Sequence, residues 1–167
     1  MAKVIILCGK IASGKSYYAE KLSEQTGAVI LSVDELMLEL SDSCLGLSHD
    51  DTARRCEKYF YKLSEQLIAK NIDVIIDFGY WSRAERNEAK DYFNARAIEI
   101  ELHYIIVDEQ IRLKQLDKRN EMLLLRQKTS VSGRVYIIGE ELRNRLDSKF
   151  QEPSPEEGFI GVRTARY

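Results

Sequence analysis

Short apolar runs and longer amphipathic stretches alternate along this chain, and the alternation predicts strands separated by helices. The run Lys3–Cys8 is apolar after its first residue, which is typical of a central parallel strand covered on both faces. Similar short runs predict strands at Val29–Ser32, Val74–Asp77 and Phe159–Val162. Within Ala97–Val107 polar and apolar residues alternate, which favours a more exposed strand nearer the edge of the sheet.

Helical periodicity fills the intervals between the predicted strands. The spacing of apolar residues indicates helices over Gly14–Gln25, Asp50–Lys70, Ser82–Asn94, Asp108–Arg126 and Gly139–Phe150. A further helix is expected to begin close to Glu35, because the Ser and Asp before it favour helix starts. Gln127–Gly133 is polar and is predicted to be a loop. Strand–helix alternation implies a parallel sheet with right-handed crossovers, and hence a three-layer α/β fold.

Composition and charge narrow the class of protein without changing this picture. The 167 residues fit one domain, with 44% hydrophobic and 31% charged residues, a balance typical of a globular protein. A formal charge of −2 gives no reason to expect a long nucleic-acid partner, which usually requires a basic face. No run approaches the roughly 18 apolar residues of a membrane span, and three cysteines without metal spacing favour reduced thiols. We therefore expect a single cytoplasmic domain over residues 1–167 with no membrane association.

The most specific motif is a phosphate-binding loop between the first strand and the helix that follows it. The pattern G-x-x-x-x-G-K-[ST] is matched at every fixed position by Gly9, Lys10, Ile11, Ala12, Ser13, Gly14, Lys15 and Ser16. Glycines let the backbone N–H groups point inward as an anion nest, and the helix N-terminus adds a positive field. Lys15 is expected to bridge the β- and γ-phosphates of ATP, and the Ser16 hydroxyl to bind Mg²⁺. We expect the nucleotide-binding residues to continue through Tyr17.

Two aspartates follow predicted strands and are candidates for chemistry. Asp77 ends a buried strand, and ligands of open α/β sheets lie at the carboxyl ends of strands. It can hold Mg²⁺ through water, although it can also simply cap the turn into Gly79. Asp34 follows the second strand and can accept the proton of an attacking hydroxyl. The alternative is that Asp34 only caps the helix that begins at Glu35.

A stripe of arginines recurs every seven residues on the helix predicted after the fourth strand. Arg112, Arg119 and Arg126 share one helical face and can neutralise charge on a transferring phosphoryl group. A solvated face with intrahelical ion pairs is the alternative. In the loop after Asp77, Trp81 can line an acceptor pocket or anchor the loop by packing. Arg83 can contact a ligand or only occupy the first turn of the next helix.

Together the motifs resemble P-loop kinases, the group that includes polynucleotide 5′-kinases, chloramphenicol phosphotransferase and zeta-toxin-like kinases. The resemblance rests, in chain order, on GKIASGKS, SVDE, IIDFGYWSR, RLKQLDKRN and FQEPSPEEGF, which span nearly the whole sequence. It implies an AAA-type ATP-binding protein of the P-loop NTPase superfamily, with a parallel five-stranded sheet in order 2-3-1-4-5 and a helical lid over about residues 108–133. The same resemblance implies that Asp34 activates the acceptor, that Arg119 is a lid arginine, and that Phe150–Pro155, including Pro153, passes near the adenine ring.

The leading hypothesis is an ATP-dependent kinase that phosphorylates a hydroxyl of a small or nucleoside-like acceptor. Relatives that act on nucleic-acid 5′ ends often carry an arginine shortly after the activating aspartate, and Glu35–Glu39 holds none. A 5′-hydroxyl polynucleotide kinase therefore remains an alternative, as does a regulatory NTPase that has no second substrate. No asparagine is followed by lysine as in guanine-specific motifs, which favours ATP over GTP. The sequence leaves the acceptor, any protein partner and the oligomeric state open.

Overall fold

A computed structural model describes residues 1–40, 49–129 and 137–164 of the chain. Its elements, in chain order, are β1 (Lys3–Cys8), α1 (Lys15–Thr26), β2 (Val29–Ser32), α2 (Val33–Leu40), α3 (His49–Ile68), β3 (Val74–Asp77), α4 (Arg83–Asn94), β4 (Glu99–Ile106), α5 (Glu109–Thr129), α6 (Glu140–Lys149) and β5 (Phe159–Arg163). A 3₁₀ turn at Pro155–Glu157 precedes β5. In the described ranges, no helix combines the length and apolar character needed to cross a membrane.

The five strands form one parallel sheet in the order β2-β3-β1-β4-β5, which confirms the predicted three-layer α/β fold and strand order. The register aligns the carboxyl ends of the strands: Ser32 of β2 lies beside Asp77 of β3, and Cys8 of β1 lies beside Tyr104 of β4. Residues that follow these ends therefore emerge at one edge of the sheet, where parallel α/β folds bind their ligands.

Alternate residues of β1 enter two separate cores because the strand is covered on both faces. Val4, Ile6 and Cys8 pack into a large apolar cluster with residues of α2, α3 and α4. Ile5 and Leu7 face the other way and pack with residues of α1. All five are at most 2% exposed. Full burial of such a side chain contributes about 1.5–3 kcal/mol each, so the strand that leads to the phosphate loop is held rigidly on both sides.

Serines cap two of the helices that start at the ligand edge, α2 and α4. Ser32 Oγ accepts a hydrogen bond from the Glu35 amide at 3.3 Å, which caps α2 and places Asp34 inside its first turn. The idea that Asp34 only caps a helix from Glu35 is therefore wrong, because the helix begins at Val33 and the preceding serine takes that role. At α4, Ser82 and Glu85 form a reciprocal capping box with bonds of 3.2 and 2.9 Å.

The structure agrees with one sequence-based assignment and differs from another. The strand predicted within Ala97–Val107 is β4, which lies next to the edge strand β5 and so nearer the edge than β1; its first residues are more exposed, while Leu102–Ile105 are buried. Its alternating polar residues fall mostly in the exposed first half, apart from His103, whose ring bonds Tyr18 and Glu101. Residues 127–129, predicted as loop, continue α5 because glutamine and lysine are good helix formers. Residues 130–133 lie outside the described ranges.

Candidate functional site

The loop between β1 and α1 has the backbone geometry of an anion nest. Ala12 has φ 58° and Gly14 has φ 93°, so left-handed residues interrupt the turn and direct successive N–H groups to one side. Gly9 is required for a different reason, since a Cβ there would lie 2.8 Å from Ser13 Oγ and 3.0 Å from the Ile105 carbonyl oxygen. The loop therefore closes tightly against β4.

Helix α1 presents an uncompensated positive end to this loop. Its N-cap is Gly14, no side chain caps it, and its first turn contains no acidic residue. Each of the other five helices in the described ranges has at least one acidic residue in its first turn. A helix whose first N–H groups lack side-chain partners and negative charge is suited to bind an anion.

Lys15 lies in the first turn of α1, at the centre of a group of charges. Its Nζ donates to the carbonyl oxygens of Gly9 and Lys10, both at 2.9 Å. Burial lowers the pKa of Lys15, while the negative charges of Asp77 and Asp34 act in the opposite direction. The ammonium group is thus held beside the loop, together with two carboxylates.

Asp77 ends β3 and is 8% exposed. Burial raises the pKa of its carboxyl group, and the charge of Lys15 and a hydrogen bond from the Ser16 side chain lower it. A hydroxyl and a carboxylate held together are hard oxygen ligands of the kind that Mg²⁺ prefers. The donor set at Ser16 and Asp77 therefore fits the magnesium ion that ATP brings to P-loop sites.

Asp34 and Arg119 complete the same group of charges from two other elements. Asp34 is exposed in the first turn of α2, and its charge acts on Lys15, Asp77 and Arg119. Arg119 projects from α5; burial lowers the pKa of its guanidinium, and Asp34 opposes that effect. The structure thus brings together Asp34, Asp77, Lys15 and Arg119, which lie far apart in sequence.

Arg112 lies one heptad before Arg119 but has a different environment. It is 1% exposed, and its guanidinium donates to Glu109 and to Asp147 of α6 through two bonds each. A fifth bond, of 3.2 Å, reaches the Ile11 carbonyl oxygen in the phosphate loop. Since a guanidinium has five N–H donors, all are engaged, and Arg112 connects α5 and α6 to the phosphate loop. Direct nucleotide binding by Arg112 stays a prediction, as does any role of Arg126, whose side chain is outside the described set.

A cavity of about 410 Å³ adjoins the phosphate loop on the β4 side. It is lined by Lys10, Ser13, Tyr104, Ile105, Ile106, Val107, Glu109, Arg112, Asp147, Phe150 and Glu152. Ser13 Oγ is buried without a hydrogen-bond partner among the described residues. Phe150 and Glu152 belong to the segment expected near adenine, whereas Pro153 is buried and is not among the lining residues. The size falls within the range of small-ligand pockets.

A second cavity, of about 520 Å³, lies between α2 and α3. Its lining is mainly apolar and consists of Leu36, Leu40, Thr52, Arg55, Cys56 and Tyr59. Leu36 and Leu40 extend from the same helix that carries Asp34 in its first turn. The region Ser41–Asp51 was expected to vary with the acceptor, and residues 41–48 of it lie outside the described ranges.

The loop after Asp77 and the first residues of α4 contain two further candidates and one residue that sequence reasoning missed. Trp81 packs against Gly79, and its Nε1 is buried without a partner among the described residues. Arg83 is exposed and forms an ion pair with Glu156 at 3.5 Å. The missed residue is Arg86, which is fully buried and bonds Glu157, a partner 71 positions away. No local pattern marks such a pair, although an arginine among apolar neighbours on a helix is a weak signal of one.

Comparison with known proteins agrees with this geometry. Residues 4–130 match the model of a family described as the AAA domain. The chain belongs to this family. The AAA-domain match covers the phosphate loop, both aspartates and all of α5, and it confirms the expected P-loop NTPase superfamily. A search of curated proteins gave no match to the sequence.

Solved structures similar to this AAA-domain protein include several kinases. A gluconokinase from Sinorhizobium meliloti 1021 gives a TM-score of 0.63 at 15% identity, over 99% of this chain and 84% of its own. The APS kinase CysC of Mycobacterium tuberculosis, in complex with AMPPNP and APS, gives a TM-score of 0.63 at 18% identity and covers 99% of this chain and 90% of its own. Kti12 of Chaetomium thermophilum, in complex with ADP-AlF3, gives a TM-score of 0.68 at 15% identity and covers 97% of this chain and 88% of its own. At these identities the similarity establishes the P-loop kinase-like fold.

Proposed function

We propose that this AAA-domain protein is an ATP-dependent kinase that transfers the γ-phosphoryl group to a hydroxyl of a small acceptor. The observation that carries the proposal is the meeting of Asp34 with Lys15, Asp77 and Arg119 at one edge of the sheet. A nucleotide-binding protein without an acceptor has no evident need for an exposed carboxylate at that point.

The phosphate loop and α1 supply the nucleotide side of the reaction. Backbone N–H groups of the nest and the uncompensated end of α1 attract the β- and γ-phosphates. Lys15, now bonded to two loop carbonyls, is within the same nest and would turn to the phosphate oxygens. Ser16 and Asp77 would hold Mg²⁺, which supplies charge neutralisation on the phosphate oxygens when bound. The cavity beside Phe150 and Glu152 is large enough for the base.

Asp34 would act on the acceptor. Its carboxylate accepts the proton of the acceptor hydroxyl as that oxygen forms a bond to the γ-phosphorus. The bond between the γ-phosphorus and the bridging β-oxygen breaks, and ADP leaves with the electron pair. Arg119 is placed to neutralise negative charge on the phosphoryl group during transfer, because it shares the site with Asp34.

The apolar cavity between α2 and α3 supports an acceptor that carries an apolar group in addition to its hydroxyl. Four of its lining residues are leucine, cysteine or tyrosine, and one cation, Arg55, borders it. Such a lining favours aromatic or aliphatic alcohols over densely hydroxylated sugars, whose hydroxyl groups would be desolvated without partners.

The proposal is tested by detecting labelled product after incubation with Mg²⁺, γ-labelled ATP and a panel of hydroxyl compounds. The panel includes sugars, nucleosides, aromatic alcohols and short oligonucleotides. The wild-type protein is expected to label a small acceptor, and Asp34→Asn to lose transfer by about 10²–10⁴-fold. Asp51→Asn is the matched control, because Asp51 is also an exposed aspartate in the first turn of a helix, and it is expected to retain transfer.

Other outcomes distinguish the alternatives. Label on oligonucleotides alone would favour a 5′-hydroxyl polynucleotide kinase. Release of free phosphate at a rate that no acceptor changes would favour a regulatory NTPase that has no second substrate. Full transfer by Asp34→Asn would refute the role of Asp34 as the base.

A further inference from the structure

The side chain of Arg86 lies at the junction of three segments that border the candidate site. It is 0% exposed, and its guanidinium bonds the Glu157 carboxylate twice, at 2.6 and 3.0 Å. Its Nη1 donates to the carbonyl oxygens of Tyr80 at 3.0 Å and Trp81 at 3.4 Å. The same nitrogen is 3.9 Å from Sγ of Cys8, the residue before the phosphate loop. One buried cation therefore contacts the end of β1, the loop after β3 and the 3₁₀ turn before β5.

Additional bonds join the same loop and turn. The Gln151 amide donates to the Trp81 carbonyl at 2.7 Å, and the Arg83 amide donates to Gln151 Oε1 at 2.9 Å. Lys90 Nζ donates to the Glu157 carbonyl oxygen. Glu157 Oε1 also accepts from the Ser154 amide at 2.9 Å, which fixes the turn that presents the carboxylate. Residues 78–82 and 150–157 are thus joined directly by the bond between Gln151 and Trp81 and indirectly through Arg86. We refer to these two stretches as the acceptor loop and the base segment.

The acceptor loop is held in a conformation that it would not adopt alone. Tyr80 has φ 45°, a left-handed backbone that is strained for a bulky residue. This backbone conformation directs the Tyr80 carbonyl oxygen inward, where it accepts hydrogen bonds from Arg86 and from the Cys8 thiol. The Arg86 pair offsets the strain, and without it the loop would be free to relax.

The two linked stretches lie on different sides of the candidate site. The acceptor loop follows Asp77 directly, whereas Phe150 and Glu152 of the base segment line the cavity beside the phosphate loop. A bidentate pair with both partners buried keeps a fixed geometry, because loss of either bond leaves a charge without compensation. Movement of one stretch is therefore passed to the other.

We propose that Arg86 and Glu157 are positioning residues that couple occupation of the base cavity to the conformation of the acceptor loop. The inference rests on nucleotide binding, which is part of the proposed function, and adds that the acceptor side is adjusted when nucleotide binds. Trp81, the only tryptophan of the chain, lies in the acceptor loop and is the natural reporter.

The experiment follows Trp81 fluorescence while Mg·ADP is added, with binding measured separately by calorimetry. Wild-type protein is expected to change its emission in proportion to occupancy. Glu157→Gln replaces one acceptor oxygen by an amide donor that faces a guanidinium donor, so the bidentate geometry is lost. This variant is expected to bind Mg·ADP and to lose most of the emission change.

Glu101→Gln is the matched control. Glu101 is a half-buried carboxylate that pairs with Lys3 at 2.7 Å and bonds His103 at 3.0 Å, without a contact to either linked stretch. It is expected to retain the full emission change. If Glu157→Gln does not fold, as judged by circular dichroism, Gln151→Ala replaces it. Gln151 is exposed, and its truncation removes the acceptor of the Arg83 amide and is expected to diminish the emission change.

The possible results distinguish failure of the proposed coupling from failure of the proposed function. Mg·ADP binding to the wild type without any emission change, or an equal change in wild type and Glu157→Gln, overturns the coupling but leaves the proposed function intact. Absence of Mg·ADP binding to folded wild-type protein overturns both. An equal loss in Glu101→Gln would also overturn the coupling, since it would assign the effect to general destabilisation.

Discussion

Gly79 gives a prediction whose size can be worked from the structure. A Cβ at this position would lie 2.5 Å from Trp81 Nε1, 2.6 Å from Cε2 and 3.0 Å from Cδ1. Gly79→Ala therefore forces the indole to move. Overpacking of this kind costs about 1–3 kcal/mol. Part of that cost is offset, because Trp81 Nε1 is buried without a partner among the described residues and a displaced ring can recover a bond to water. We expect a net loss of about 1–2 kcal/mol in the free energy of unfolding.

Urea denaturation monitored by Trp81 emission measures this loss. With a slope of about 2 kcal/mol per molar urea, the midpoint should fall by about 0.5–1 M, and the native emission should shift to the red. Gly139→Ala is the control, because a Cβ there meets nothing within 4 Å and its φ of −73° suits alanine. Because Gly139 is the N-cap of α6, where alanine is a poorer cap than glycine, this control should lose no more than about 1 kcal/mol and should keep the wild-type emission. An unchanged midpoint and unchanged emission for Gly79→Ala would refute the reasoning.

Further predictions concern the buried pair and the charges of the site. Arg86→Met should lower the free energy of unfolding by about 3–5 kcal/mol, and adding Glu157→Leu should recover part of that loss, as measured by urea denaturation. The hydrogen bond from Arg86 holds the pKa of Glu157 below its ordinary value of 4.5. This contribution is fully present above pH 4.5 and is lost as the pH falls through the lower, folded-state pKa, so thermal melts of Glu157→Gln should depend less on pH in that acidic range. Lys15→Met should reduce ATP turnover by about 10²–10³-fold. Asp77→Asn should raise the Mg²⁺ concentration for half-maximal turnover by about 10–100-fold.

Much of the site could be predicted because its residues are tied to strand ends. In a parallel sheet the residues after each strand meet at one edge, so Asp34, Asp77 and Lys15 converge once the strands have been recognised. The phosphate-loop motif is local and contiguous, and its backbone role follows from glycine positions alone. These features needed only the apolar pattern and the strand order.

The features of the site that could not be predicted from the sequence depend on contacts between side chains that are distant in the chain. Arg112 and Arg119 share one helical face, yet Asp147 of α6 engages the first and leaves the second beside Asp34. The partnership of Arg86 and Glu157 has no local signature, since it requires that α4 and the turn before β5 be packed together.

The strand order also governs when the sheet can begin to form during synthesis. β1 pairs with β3 and β4, and its nearest partner in sequence begins 70 residues later, with Val4 opposite Val74. β2 likewise cannot pair until β3 has been synthesised. On a ribosome that adds about 5–20 residues per second, the apolar segment Lys3–Cys8 therefore remains without a neighbouring strand for roughly 4–14 seconds. During that interval the stretch that later anchors the phosphate loop has no strand to cover it, and the need to close so long a connection is expected to slow folding.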